Sequence, residues 1–144
     1  MATPKEANLN QFTYTLEQDT VTVYGSADIG SSGAVSGSGG LGVSSVSKSA
    51  TGTYDINLKQ VYARFLHADI QIIDDAISQI TKIQVFQDPA SMSTDIKNNS
   101  KLTFKTLAPT SSSDTTLVAA HPASGARINF KLVFRRSKVG PADR

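Results

Sequence analysis

Residues 43 to 58, Val-Ser-Ser-Val-Ser-Lys-Ser-Ala-Thr-Gly-Thr-Tyr-Asp-Ile-Asn-Leu, constrain the fold of this chain more than any other stretch. They read as two short strands joined by a tight turn at Gly52, with Val43 and Val46 in the first and Tyr54, Ile56 and Leu58 on one parity of the second. Directly upstream lies a small-residue tract: between Gly25 and Ser49, sixteen of twenty-five residues are Gly or Ser, including seven of the ten glycines. Such backbone loses much entropy on ordering and its side chains return little burial. The expectation is a mobile loop or arm over about Gly25 to Leu41, ordered only by a neighbour and feeding a β-hairpin.

The same alternation recurs elsewhere. Phe12, Tyr14 and Leu16 alternate, then Val21 and Val23 follow the polar stretch Glu17 to Thr20, which predicts an N-terminal hairpin. Val61, Tyr62, Phe65 and Leu66 instead share a helical stripe of about two turns, and a helix that short needs a sheet to pack on. Ile70 with Ile72 and Ile83 with Val85 predict two strands around a polar bend at Asp74 and Asp75, ended by Asp88-Pro89. Residues 89 to 100 read as loop, Leu102 and Phe104 as a strand, and residues 109 to 125 as a long Ser/Thr/Ala/Pro excursion.

The last strand is the cleanest. Ile128, Phe130, Leu132 and Phe134 line one face, and Arg127, Asn129, Lys131 and Arg135 the other. Each of the four large apolar side chains contributes ~1.5 to 3 kcal/mol if fully buried. About seven short strands with long polar loops predict a mainly β fold: an antiparallel β-sandwich or partly closed barrel, one short helix and an extended N-terminal arm. The expected division is an arm over 1–41, a sandwich over 42–138 and a tail over 139–144.

Composition narrows the function. With 39% hydrophobic and 18% charged residues and a net charge of +2, long-range attraction of a polyanion is not implied, so nucleic acid is not an expected partner. The positive excess is local, at Arg135, Arg136 and Lys138 with Arg144, and reads first as a solvated terminal strand. No cysteine is present, which removes disulfides and thiolate metal sites. No apolar run approaches ~20 residues, so no membrane partner is expected, and the N-terminus lacks an apolar signal core.

Motifs that resemble chemistry fail on context. Gly37-Ser38-Gly39-Gly40-Leu41-Gly42 matches G-x-G-x-x-G, but a Ser/Gly run precedes it and a Val/Ser strand follows, where a pyrophosphate site needs a strand and then a helix N-terminus. His67 and His121 lack metal-ligand spacing; His67 is expected at a helix C-terminus and His121 in a loop before Pro122. Asp74 and Asp75, with Asp69 nearby, read as a solvated turn. Asn98-Asn99-Ser100 fits a glycosylation sequon without a secretory route to it. Of the tyrosines, Tyr14 and Tyr54 share parity with core positions, so packing explains them better than stacking on a ligand. Catalysis and cofactors are not expected.

The run from Gly40 to Leu58 resembles a segment of small virion proteins of tailed bacteriophages: a Gly-Val-x-Ser-Val start, a Thr-Gly-x-Tyr centre and an alternating strand leading to a Tyr-bearing segment. The matching positions are Gly42, Val43, Ser45, Val46, Thr51, Gly52, Tyr54, Ile56, Leu58 and Tyr62, and Ala123 to Phe130 through Arg135-Arg136-Ser137 is similar to their closing loop and strand. The likeness spans roughly residues 40 to 137, with the middle matched in outline. It implies a virion location and a capsid cement or decoration protein, a β-rich homotrimer seated on the major capsid protein. An arm over the first 40 residues would suit such a protein by reaching across neighbouring capsomers, with Phe12, Tyr14, Leu16, Val21 and Val23 as apolar anchors. The alternatives are a tail, fibre or baseplate component that binds a host surface, and a small hydrolase or lectin-like sugar binder. The last would need aromatic and carboxylate side chains gathered in a concavity, which the linear sequence does not display.

Overall fold

A computed structural model of the chain describes residues 20–88, 100–111, 113 and 115–136. Nine strands follow in order: β1 (Thr20–Ile29), β2 (Val35–Leu41), β3 (Val43–Ala50), β4 (Thr53–Leu58), β5 (Arg64–Ile73), β6 (Lys82–Val85), β7 (Lys101–Pro109), β8 (Leu117–Ala119) and β9 (Arg127–Arg135). They form two antiparallel sheets, the first ordered β2-β1-β9-β5 and the second β3-β4-β7-β6, with β8 also paired to β7. The sheets pack face to face as a sandwich and do not close into a barrel.

Period two fixes which side of each strand is buried. On β9, Ile128, Phe130, Leu132 and Phe134 are buried, as the alternation predicts, and Val23, Ala27 and Ile29 of β1 share their layer. Tyr54, Ile56, Leu58, Leu102 and Phe104 face them from the second sheet. Tyr54 stacks on Phe104 at 5.5 Å and Tyr62 on Phe134 at 4.6 Å between ring centroids, favourable aromatic geometry within the core.

Two bulges correct the period where it fails. In β3 the register skips from Val43 to Ser45 against Leu58 and Asn57, so Val43 and Val46, three apart, both point inward. In β5 it skips between Phe65 and His67, which brings Phe65 and Ala68 to one face. The apparent helical stripe ends at this bulge, and its first two members, Val61 and Tyr62, lie in the connection before β5. Val61 to Leu66 forms no helix: Tyr62 is buried, Val61 and Leu66 are exposed, and β5 begins at Arg64. Among the described residues the only helical element is a 3-10 turn at Ser31–Gly33.

The Gly/Ser tract is likewise not a free arm. Residues 20 to 41 belong to the sandwich, with Val21 and Val23 in β1 against the core and Gly37 to Leu41 paired along β1. Its small residues are what let it turn a corner. A Cβ on Gly40, at φ +147°, would run into the Tyr24 carbonyl, and Gly42, at φ +84°, steps the chain from the first sheet into the second. Ser38 Oγ then accepts a hydrogen bond from the Val46 N–H at 3.0 Å, joining the β2 and β3 edges. The opposite side has no such closure: β5 and β6 flank the Asp74 bend as expected but lie in different sheets and do not pair.

The Tyr54 hydroxyl, fully buried, donates to the Gly33 carbonyl at 2.9 Å and ties the core to the 3-10 turn. Burial pushes this hydroxyl up from its ordinary 10.0 to about 12. The folded state therefore holds the proton more tightly than the unfolded chain. Its stabilising contribution is complete below pH 10.0 and is lost as pH rises toward about 12. Tyr54→Phe should lower unfolding free energy near neutral pH by about 1 to 2 kcal/mol through loss of the buried bond. It should also flatten the alkaline decline, as denaturant titrations at stepped pH would read; an unchanged alkaline slope would contradict this account.

Candidate functional site: the outer face of the first sheet

The outward residues of β9 meet those of its neighbours in register, forming rows across the sheet. One row is Leu41, Tyr24, Lys131, Asp69; the next is Gly39, Ser26, Asn129, Gln71; the third is Gly37, Asp28, Arg127, Ile73. The middle row is short where it begins, with no side chain on Gly39 and a single hydroxymethyl on Ser26. The flanking rows stand higher, and the result is an open groove of about 610 Å³.

One wall carries large apolar groups at the surface: Tyr24 is 52% and Leu41 75% exposed. The Lys131 ammonium lies 5.9 Å from the Tyr24 ring centroid. The other wall is an ion pair, Arg127 Nε donating to Asp28 Oδ1 at 2.6 Å, and the Asp28 carboxylate raises the guanidinium's pKa. Both partners are about half exposed, so solvent screens the pair and its value lies in fixing geometry more than in stability. On the floor, Asn129 Oδ1 is buried with no hydrogen-bond partner. An acceptor removed from water and left unpaired is costly.

The groove therefore offers an acceptor at Asp69, amide groups at Gln71 and Asn129, donors at Lys131 and Arg127, and an aromatic plate at Tyr24. It suits a polar, partly flat partner surface held by stacking and hydrogen bonds.

The residues singled out from the sequence fall elsewhere. Phe12, Tyr14 and Leu16 lie outside the described residues. Val23 is 1% exposed and Val21 packs partly buried against the core, so these two are framework and cannot serve as exposed anchors. His67 sits on the outer face of β5, not at a helix end, and His121 is exposed in a loop with Nδ1 3.2 Å from the Pro122 carbonyl oxygen. Asp74 Oδ1 accepts from the Ala76 N–H at 3.4 Å, an exposed turn. Asn98 and Asn99 lie outside the described residues. Among the described residues no three His, Cys, Asp or Glu side chains gather to hold a metal ion, and no helix is long and apolar enough to cross a membrane.

What the linear reading missed is the gathering of Tyr24, Asp69 and Arg127 around one depression, with Asp28 beside it holding Arg127. Tyr24 and Asp28 stand two turns of the pleat apart on β1, but Asp69 arrives from β5 through β9, a register no spacing reveals. The outward parity of Arg127, Asn129 and Lys131 was the available signal. No family model, characterised protein or solved structure matches the chain.

Replacing Asn129 with Val removes the unpaired acceptor while keeping a side chain suited to a strand. Asn129→Val should raise stability by about 1 kcal/mol, seen as a higher denaturant midpoint at constant slope. A lower midpoint would mean that Oδ1 has a partner in solution.

Proposed function

We propose that this is a structural virion protein, a capsid cement or decoration protein of a tailed phage that binds the outer surface of the shell built by the major capsid protein. The family likeness of residues 40 to 137 supports the reading, and one structural observation carries it. Tyr24 and Leu41, large and at least half exposed, sit side by side in a frame of charged and amide groups on a rigid sheet. That is the make-up of a protein-docking patch: an aromatic and aliphatic anchor within a polar rim. Contacts of this kind repeated over a symmetric shell sum to firm attachment even where each is modest.

Electron microscopy of particles carrying labelled protein tests the location, and label on the tail would overturn it. Tyr24→Ala should reduce particle occupancy about tenfold at limiting concentration, since truncating a central aromatic commonly costs more than 1 kcal/mol of binding. Its melting temperature should stay close to that of the parent because the ring faces solvent. Undiminished occupancy would remove this face from the interface.

A tail or fibre component that binds host-surface glycan is the second reading. It is favoured by the amide groups of Asn129 and Gln71 beside Ser26 and the Tyr24 ring, groups that suit sugar hydroxyls and a sugar face. A glycan array that returns binding lost on Asn129→Val would favour it over the shell.

A further inference from the structure

The two sides of the sandwich differ. At β2 and β3 the sheets are stitched together by the Val46 to Ser38 bond. At β5 and β6 both outer edges are unpaired among the described residues. Between them lie two depressions of about 530 and 210 Å³, with Ala68, Ile70, Ile72, Ile80, Ile83 and Val85 as their apolar lining and polar residues, among them Ser78, Thr81 and Lys82, at the rim. Partly buried apolar side chains between two strand edges form an acceptor for an extended segment with alternating apolar residues.

The chain contains such a segment ahead of β1: Gln11-Phe-Thr-Tyr-Thr-Leu-Glu17. Run antiparallel along β5, it seats Phe12, Tyr14 and Leu16 opposite Ile72, Ile70 and Ala68 on the inner face. Thr13 and Thr15 then fall opposite Gln71 and Asp69 on the outer face, and Glu17 opposite His67. Every position agrees in polarity, and the acidic side chain meets an imidazole.

In this register a chain cannot fill its own slot. Ala68 is level with Val23 across β9, three residues beyond Thr20. A strand added outside β5 lies three strand spacings from β1, so Leu16 would sit about 14 Å sideways and 10 Å along from Thr20, roughly 17 Å in all. The four residues from Leu16 to Thr20 reach at most about 14 Å.

We propose that copies of this chain exchange N-terminal strands, residues 11–17 of one copy completing the β5 edge of the next. Each copy then donates one strand and accepts one, a head-to-tail contact that gives a ring where the rotation between copies closes. Purified protein tests this without particles, so its outcome is separate from that of the shell-binding reading.

The absence of native cysteine makes the experiment clean. Thr15→Cys and Asp69→Cys are made as separate full-length variants and mixed. Directly opposed antiparallel residues stand about 4.5 to 5.5 Å apart, within disulfide range. Mild oxidation should give a covalent pair containing one of each variant, at least tenfold more than Thr15→Cys mixed with Ser47→Cys. The double variant Thr15→Cys/Asp69→Cys should form linked multimers, and Tyr14→Asp in the otherwise native chain should shift sedimentation to the monomer with the far-ultraviolet spectrum unchanged. A yield no higher than the control, an internal disulfide within a single chain, or a parent chain monomeric at its highest soluble concentration would each overturn strand exchange.

Discussion

The structure depends on the two-residue period of β9. One set of its side chains, Ile128 to Phe134, is the layer on which both sheets meet, and the other, Arg127, Asn129 and Lys131, is the floor and walls of the outer groove. β1 and β5 pair with it on either side, so its register sets theirs. A slip by one residue would exchange four buried apolar side chains for Val133 and three charged or amide groups. Core and candidate site are therefore the two faces of one strand pairing, and the burial energy of the first holds the second in place.

Small residues decide where the sandwich closes. Gly40 and Gly42 let β2 press against β1 and then turn directly into β3, where a side chain would collide or strain the backbone. The same poverty of side chains hollows the groove, since Gly39 has no neighbour within 4 Å of where a Cβ would stand. On the far side, Ile70 and Ile72 face inward at an edge that no described strand covers. A long unpaired edge beside apolar side chains is a pairing hazard unless something occupies it.

Much of this was legible in the residues, and what was not has identifiable causes. The β3–β4 hairpin around Gly52, the β7 pair Leu102 and Phe104, and all four inward residues of β9 follow from strict alternation and appear where it puts them. The tract from Gly25 to Leu41 read as an arm because burial of side chains was the only reward considered. Its order comes from backbone pairing to β1 and from corner geometry that larger residues would forbid. The false helix at Val61 to Leu66 came from a connection: Val61 and Tyr62 precede β5, where the two-residue period does not hold, and their spacing to Phe65 and Leu66 imitates a helical interval. Strands β5 and β6 flank the Asp74 bend as the alternation predicts, but which sheet each joins is not written in their spacing, and the bend carries the chain between sheets. The groove was the least legible feature, because four strands, β2, β1, β9 and β5, drawn from distant parts of the sequence build it.

Edge and groove are not independent, because both belong to β5. Its inward residues Ala68, Ile70 and Ile72 line the slot, and its outward residues Asp69 and Gln71 line the groove. A strand added at that edge would place Thr13 beside Gln71 and Thr15 beside Asp69, extending the groove's rows by one more column of hydroxyls. Covering an apolar edge would thus enlarge a polar face, and the enlarged face would be continuous between two copies. A partner that spans the seam would bind an exchanged assembly more tightly than an isolated chain, because only the assembly presents the full width. Affinity for the outer face and self-association would then reinforce each other through linkage, without any change of conformation in the sandwich itself.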